Sequence, residues 1–265
     1  MTQPSPLFNG RRKLLIGVIH LQPLPGAPGW RSKMDNIIAG AVADARAYEK
    51  GGADAVFVEN FGDAPFTKGP VPPETITAMA VAGCAVGESI ALPIGFNVLR
   101  NDAVAALALC VACDGRFIRV NVHCGAMLTD QGIIEGDAFR TLRRRRELSS
   151  PALIFADVQV KHAVPLAPMP IEIAARDTLE RGMADALIVS GTGTGVATRL
   201  ADVERVRAAC PRARVLIGSG ANLDNVRDYL ELADGVIVGS SLKRGGRIGN
   251  PVDVKRVTAL RRMMG

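Results

Sequence analysis

Eight short apolar runs, each followed by a longer stretch with helical spacing, constrain what this chain can fold into more than any other feature. The runs are LLIGVI (14–19), AVFVE (55–59), PIGFN (93–97), FIRVN (117–121), LIFAD (153–157), ALIVS (186–190), RVLIGS (214–219) and GVIVGS (235–240). The spacing predicts helices near 35–50, 74–89, 101–113, 137–147, 171–181, 201–209, 223–231 and 251–263. Strands that alternate with helices return in the same direction through a crossover, which makes the sheet parallel. Eight such units with no evident open edge predict an α/β fold, a single (β/α)8 TIM barrel. Such barrels need about 250 residues, and the chain has 265.

Local punctuation places several helix ends. Asn101-Asp102 precedes a helix as a cap, Asp202 opens another, and Asn250-Pro251 starts the last one. Gly51-Gly52 falls where the first helix needs a left-handed stop. The rival arrangement, a doubly wound open sheet, wants a glycine-rich turn after its first strand. Here that strand runs into HLQPLPGAPGW (20–30), a proline-rich loop unsuited to a dinucleotide. No linker or charged tail marks a second domain. Residues 1–265 are expected to form one barrel domain, with 1–10 an irregular N-terminal arm.

Composition excludes several function classes. Aromatics make up 4% of the chain, too few for a base-stacking surface. The net charge of +6 is dispersed apart from Arg143 to Arg146, which reads as a solvated helix end, so nucleic acid is not an expected partner. No run reaches the roughly 18 apolar residues of a membrane span. Arg11-Arg12-Lys13 resembles the opening of a signal peptide, but the apolar run behind it ends at Ile19 and reads as a buried strand. Integral membrane association is therefore not expected, and the location expected is cytoplasmic. The cysteines at 84, 110, 113, 124 and 210 are odd in number and show no paired zinc spacing, so they read as core residues.

Active sites of such barrels lie at the carboxyl ends of the strands. The polar residues there are His20, Glu59, Asn60, Asn97, Asn121, Asp157, Lys161, His162, Ser190, Ser219 and Ser240. IGSGAN (217–222) and VIVGSSLK (236–243) each place small residues straight after a strand, where backbone N–H groups can hold an anion. Barrels commonly build a phosphate site after strands seven and eight. The candidate phosphate ligands are Gly218, Ser219, Gly220, Gly239 and Ser240, and GTGTG (191–195) either joins the cradle or forms a lid. Glu59 and Asp157 are the acid–base candidates; alternatively each pairs with Arg100, Arg119 or Lys161. His20, Glu59, Asp157 and His162 offer a possible divalent-metal set, but without an HxH or HExxH spacing no metal or other cofactor is assigned. Lys68 and Lys161 lie in loops, whereas a Schiff base wants a desolvated lysine, so that chemistry is not expected.

The stretches GVIHLQPLPGAPGW (17–30), LPIGFNVLRND (92–102), FIRVNVHCGAMLTDQGIIEGDA (117–138) and FADVQVKHAVPL (155–166) resemble the BtpA family, named for a photosystem I biogenesis protein. SGTGTG (190–195), IGSGANLDNV (217–226) and ADGVIVGSSLKRGGRIGNPVD (233–253) extend the resemblance over nearly the whole chain. HCG (123–125) departs from the pattern, which leaves His123 without an expected role. The resemblance implies a barrel of the ribulose-phosphate-binding group. It singles out His20, Glu59, Asn97, Arg100, Asn121, Asp130, Asp157, Lys161 and His162.

The expected function is an enzyme acting on a small phosphorylated sugar- or nucleoside-like substrate by lyase or isomerase chemistry. Asp157 and Glu59 would be acid and base, His20 and Asn121 would orient or polarise the substrate, and Lys161 and His162 would complete the catalytic set. Asn97, Arg100, Asp130 and Ser190 would bind substrate, and the assembly expected is a homo-oligomer. The alternative from the family name is a non-enzymatic accessory factor in photosystem I biogenesis.

Overall fold

A computed structural model describes residues 6–8 and 12–265. The elements run β1 (Leu14–His20), α1 (Met34–Gly51), β2 (Ala55–Glu59), α2 (Pro73–Ser89), β3 (Ile94–Asn97) and α3 (Ala103–Ala112). They continue with β4 (Phe117–Val120), β5 (Ala126–Thr129), β6 (Gly132–Glu135), α4 (Ala138–Glu147), β7 (Leu153–Asp157), β8 (Ala163–Pro165) and α5 (Ile171–Arg176). Last come β9 (Ala186–Val189), α6 (Leu200–Ala209), β10 (Val215–Ile217), α7 (Val226–Leu232), β11 (Gly235–Val238) and α8 (Val254–Met263). Strands β1, β2, β3, β4, β7, β9, β10 and β11 follow one another in a parallel ring, and β11 pairs with β1 to close the expected barrel.

Alternation along each strand builds two cores. Leu15, Ile19, Val56, Val58, Ile118, Leu187 and Val215 belong to the cluster packed under the helices. The alternate residues Ile16, Val18, Phe57, Phe117, Phe155, Ile188 and Leu216 form the barrel interior. Phe117 stacks on Phe155 at 5.1 Å and meets Phe57 edge-on at 4.7 Å. Gly95 makes room for this stack, because a methyl there would overlap the Phe117 ring. Leu7, from the short turn Pro6–Phe8, joins the interior cluster beside Leu14 and Leu153, and Phe8 lies 5.8 Å from Phe155. That part of the expected irregular arm is thus a plug at the amino-terminal end of the barrel. Residues 1–5 and 9–10 of the arm lie outside the described residues.

Side-chain caps fix several helix starts. Asp102, Asp137 and Asp253 each accept a backbone N–H from the first turn, and α1 stops at Gly52 with φ 89°. Two expectations shift: α8 begins after Asp253 rather than at Asn250-Pro251, and Asp202 lies inside the first turn of α6. Two other features have no counterpart in the strand–helix pattern. β5, β6 and β8 form a small antiparallel sheet whose one face packs Met127 and Ile134 on Val122 and Val160, beside the carboxyl ends of β4 and β7. Its other face exposes Ile133, Leu128 and Val164 in one cross-strand row. Cys84 and Cys113 are disulfide-bonded across the contact of α2 and α3, which corrects their reading as core thiols. Among the described residues no helix is long and apolar enough to cross a membrane.

Candidate active site

The alternation that points Phe57, Phe117 and Phe155 inward also points in the next polar residue or glycine of each strand. At the carboxyl end of the barrel these are His20, Glu59, Asn97, Arg119, Asn121, Asp157, Ser190, Gly218 and Gly239. His20, Glu59 and Asn97 share one register across β1, β2 and β3. Asn97 Nδ2 donates to Glu59 Oε2 at 2.6 Å, and His20 Nε2 stands 3.8 Å from Glu59 Oε1. Burial lowers the His20 pKa from 6.5 to about 4, outweighing the pull of Glu59, with Lys243 and Lys161 adding to the lowering. His20 is therefore a neutral imidazole at pH 7.

Asp157 has a different environment. Arg119 Nε and Nη2 reach its two oxygens at 2.8 and 2.9 Å, Ser190 Oγ donates at 2.8 Å and Asn121 Nδ2 at 3.2 Å. Four donors occupy the sites at which a carboxylate accepts, so Asp157 is an anchor for Arg119 rather than a base awaiting a proton. Of the two readings open for Asp157 the structure shows the ion pair. The same network redefines its neighbours. Ser190 is committed to Asp157, and the Asn121 amide nitrogen is too, leaving the Asn121 carbonyl oxygen buried without a partner among the described residues. An acceptor can hold a hydroxyl but cannot polarise a carbonyl, so Asn121 is a poor electrophile.

One cavity opens above this layer. His20, Glu59, Arg119 and Lys161 line one side, and Thr194, Gly195, Gly218–Asn222 and Gly239–Ser241 line the other. The backbone N–H groups of Ser219, Gly220, Ala221 and Ser240 have no acceptor among the described residues, and all four residues face the cavity. Gly220 has φ +73°, and a methyl there would overlap the backbone of Ala197, so a side chain is excluded twice over. The Ser219 hydroxyl is taken: it accepts from Gly191 N–H at 2.8 Å and donates to Val196 O at 3.1 Å. Only its N–H remains for a ligand. Thr194 and Gly195 reach the same cavity, so the GTGTG segment is part of its wall.

The remaining expected residues scatter. Lys161 reaches the cavity despite its place in a loop, and burial followed by the nearby Arg119 pushes its amine below the usual lysine range. Arg100 is buried beside it and donates to Lys161 O at 2.5 Å. His162 is exposed and turned away; its Nε2 accepts from Thr194 N–H at 3.1 Å, tying down the 191–195 segment. Asp130 is exposed on the β5–β6 turn, outside the cavity lining. Asn60 faces the loops, accepting from Leu99 N–H and donating to Asp63. His123 Nε2 lies 2.8 Å from Gly182 O, a structural contact. Of the four residues weighed as metal ligands only His20 and Glu59 meet, and no group of three or more candidate ligands exists among the described residues. Arg119 was foreseen only as a pairing partner, although counting by twos from Phe117 aims it inward.

Residues 11–265 match the BtpA family. The chain belongs to the BtpA family. The photosystem I biogenesis protein BtpA of Synechocystis is 47% identical over 245 residues, which is 92% of this chain and 85% of that protein. A protein of Pyrococcus furiosus is 45% identical over 95% of both chains, and one of Caenorhabditis elegans is 34% identical over 96% of this chain and 94% of that protein. Among solved structures, phosphoribosyl anthranilate isomerase of Thermus thermophilus superposes with a TM-score of 0.56 at 15% identity, covering 95% of this chain and 98% of that one. Tryptophan synthase of M. tuberculosis gives 0.61 at 17% identity over 96% and 93%. These likenesses show the barrel fold. The BtpA-like stretches FADVQVKH, IGSGAN and VIVGSSLK supply much of the cavity wall, including Lys161, the Gly218–Asn222 loop and the Gly239–Ser241 loop.

Proposed function

We propose that the chain is an enzyme whose cavity binds a small phosphorylated molecule and carries out acid–base chemistry on it. The observation that carries this reading is the set of free N–H groups at Ser219, Gly220, Ala221 and Ser240, which face the same cavity as Glu59, His20 and Lys161. Such a nest holds a phosphate dianion by backbone donors. A phosphate seated there puts the rest of the ligand beside Glu59, whose carboxylate has only Asn97 as a hydrogen-bond donor among the described residues. Glu59 then takes the base role, with neutral His20 next to it. The phosphorylated substrate is a sugar- or nucleoside-like molecule, and the reaction is of lyase or isomerase type. The isomerase name of one structural neighbour agrees with that type at the level of fold alone.

The accessory role in photosystem I biogenesis is the second reading, favoured by the name of the Synechocystis relative. A relative in Caenorhabditis elegans, an animal without photosystems, argues against making that role general. Titration calorimetry with inorganic phosphate and with ribose 5-phosphate tests the proposal. Heat of binding that disappears in Ser240→Asp, with the fold intact, supports it; no binding of either ligand to the native protein defeats it. Light scattering on the same preparation tests the proposed homo-oligomer.

A further inference from the structure

Two lysines sit near the barrel mouth, Lys243 buried and Lys161 half-buried, and they differ in company. Lys243 is buried and paired, its Nζ donating to Asp44 Oδ2 at 2.9 Å, which is the ordinary way to hold a buried ammonium. Lys161 lines the cavity, and its ammonium makes no hydrogen bond or ion pair among the described residues. Two guanidiniums, Arg119 and Arg100, act to lower its pKa, and two carboxylates, Glu59 and Asp157, act to raise it, Asp157 being held by Arg119. Burial is the largest influence and, with the guanidiniums, outweighs the pull of the two carboxylates, so this amine sheds its proton more readily than an exposed lysine. Glu59 is the one carboxylate lining the same cavity.

We propose that Lys161 is a nucleophile that forms an imine with a phosphorylated aldehyde or ketone whose phosphate occupies the corner built by the 218–222 and 239–241 loops. The proposal rests on the phosphate reading of that corner. The neutral Nζ adds its lone pair to the carbonyl carbon, and the carbonyl oxygen takes a proton to give a carbinolamine. The C–O bond then breaks, a second proton leaves with the oxygen as water, and the nitrogen lone pair forms the C=N bond. The nitrogen of the adduct loses one proton on the way to the neutral carbinolamine, and the balance is amine plus carbonyl plus one proton giving iminium plus water, with no oxidant or reductant. Glu59 supplies and removes the protons. The resulting iminium draws electrons from the adjacent carbon, which is what bond cleavage or proton transfer next to a former carbonyl requires. This restores the Schiff-base chemistry set aside on the sequence, where the desolvation of Lys161 could not be seen.

The test is reductive trapping of the native protein with glyceraldehyde 3-phosphate and dihydroxyacetone phosphate, using sodium borohydride as hydride donor and peptide mass spectrometry as readout. A lowered amine pKa raises the free-amine fraction at neutral pH, so the adduct is expected at Lys161 in clear excess over exposed lysines. Lys161→Arg keeps the charge and cannot form the imine; it should lose the adduct and still bind inorganic phosphate. Absence of an adduct at Lys161 in a preparation that binds phosphate overturns the imine and spares the phosphate corner. Adducts spread evenly over surface lysines overturn it equally. Trapping at Lys161 that is as efficient with unphosphorylated dihydroxyacetone upholds the imine and removes the phosphate reading instead.

Discussion

Glu59 and Asp157 are both buried carboxylates at strand ends, but one is nearly free and the other is saturated. Their conservative variants should therefore separate. Asp157→Asn leaves the Arg119 guanidinium buried without its counter-ion, and breaking a buried pair this way costs about 3–5 kcal/mol. Urea unfolding should show that loss, and a variant as stable as the native protein would mean that the pair is not held as described. Glu59→Gln keeps the shape and removes the titrating group, so it should stay folded while turnover, once a substrate is in hand, drops roughly 10²–10⁴-fold. His20 gives a pH signature. Its pKa falls from 6.5 to about 4 on folding, so between those values the unfolded chain binds more protons and stability rises with pH. The contribution is fully present above about pH 6.5 and is lost as pH falls toward 4, a difference of about 3 kcal/mol. In His20→Gln the loss of stability between pH 7 and pH 4.5 should shrink by about that amount; an unchanged acid limb would show that His20 is not buried neutral.

At the scale of elements, the loops after β10 and β11 have different tolerances at each position. A methyl at Gly218 would overlap Ser190 Oγ and Ile188, and one at Gly239 would overlap His20, so bulky residues there disturb the interior as well as any phosphate site. Ser240→Asp is cleaner, since Ser240 faces the cavity and its carboxylate would repel an anion. Phosphate should raise the melting temperature of the native protein and not that of Ser240→Asp; equal protection of both would remove the loop from the site. The eight strands and the two glycine loops were legible because period-two alternation and small residues after strands are local signals. The partners were not. Arg119 meets Asp157 only because β4 lies beside β7 in register, with the whole β5–β6 hairpin intervening in the chain. Lys161 looked like a loop residue because nothing in KHAVP tells that it lines the cavity. The hairpin itself sits inside the connection from β4 to α4, outside the strand–helix alternation by which the barrel was read.

For the molecule as a whole, the disulfide is the feature that sequence spacing concealed and that bears most on where the chain works. Cys110 and Cys113 stand as a CxxC, yet Cys113 bonds Cys84, which is 29 residues away in sequence and brought near by the packing of α2 on α3. Closing a loop of that size restricts the unfolded chain and is worth about 3–4 kcal/mol on the entropy estimate. For a domain of this length that corresponds to a melting shift on the order of 10 °C. The native protein should therefore melt lower in dithiothreitol, and Cys84→Ser should melt at the reduced value whether or not reductant is present. Cytoplasmic thiols are normally kept reduced, so the expected location and the bond bear on each other. Acid-quenched cells, alkylated before lysis, show which state exists in place: a blocked Cys84–Cys113 pair indicates an oxidising compartment or a protected bond. Two alkylated thiols, together with a melt indifferent to dithiothreitol, would mean that these cysteines merely touch and that the packing of α2 on α3 stands without them.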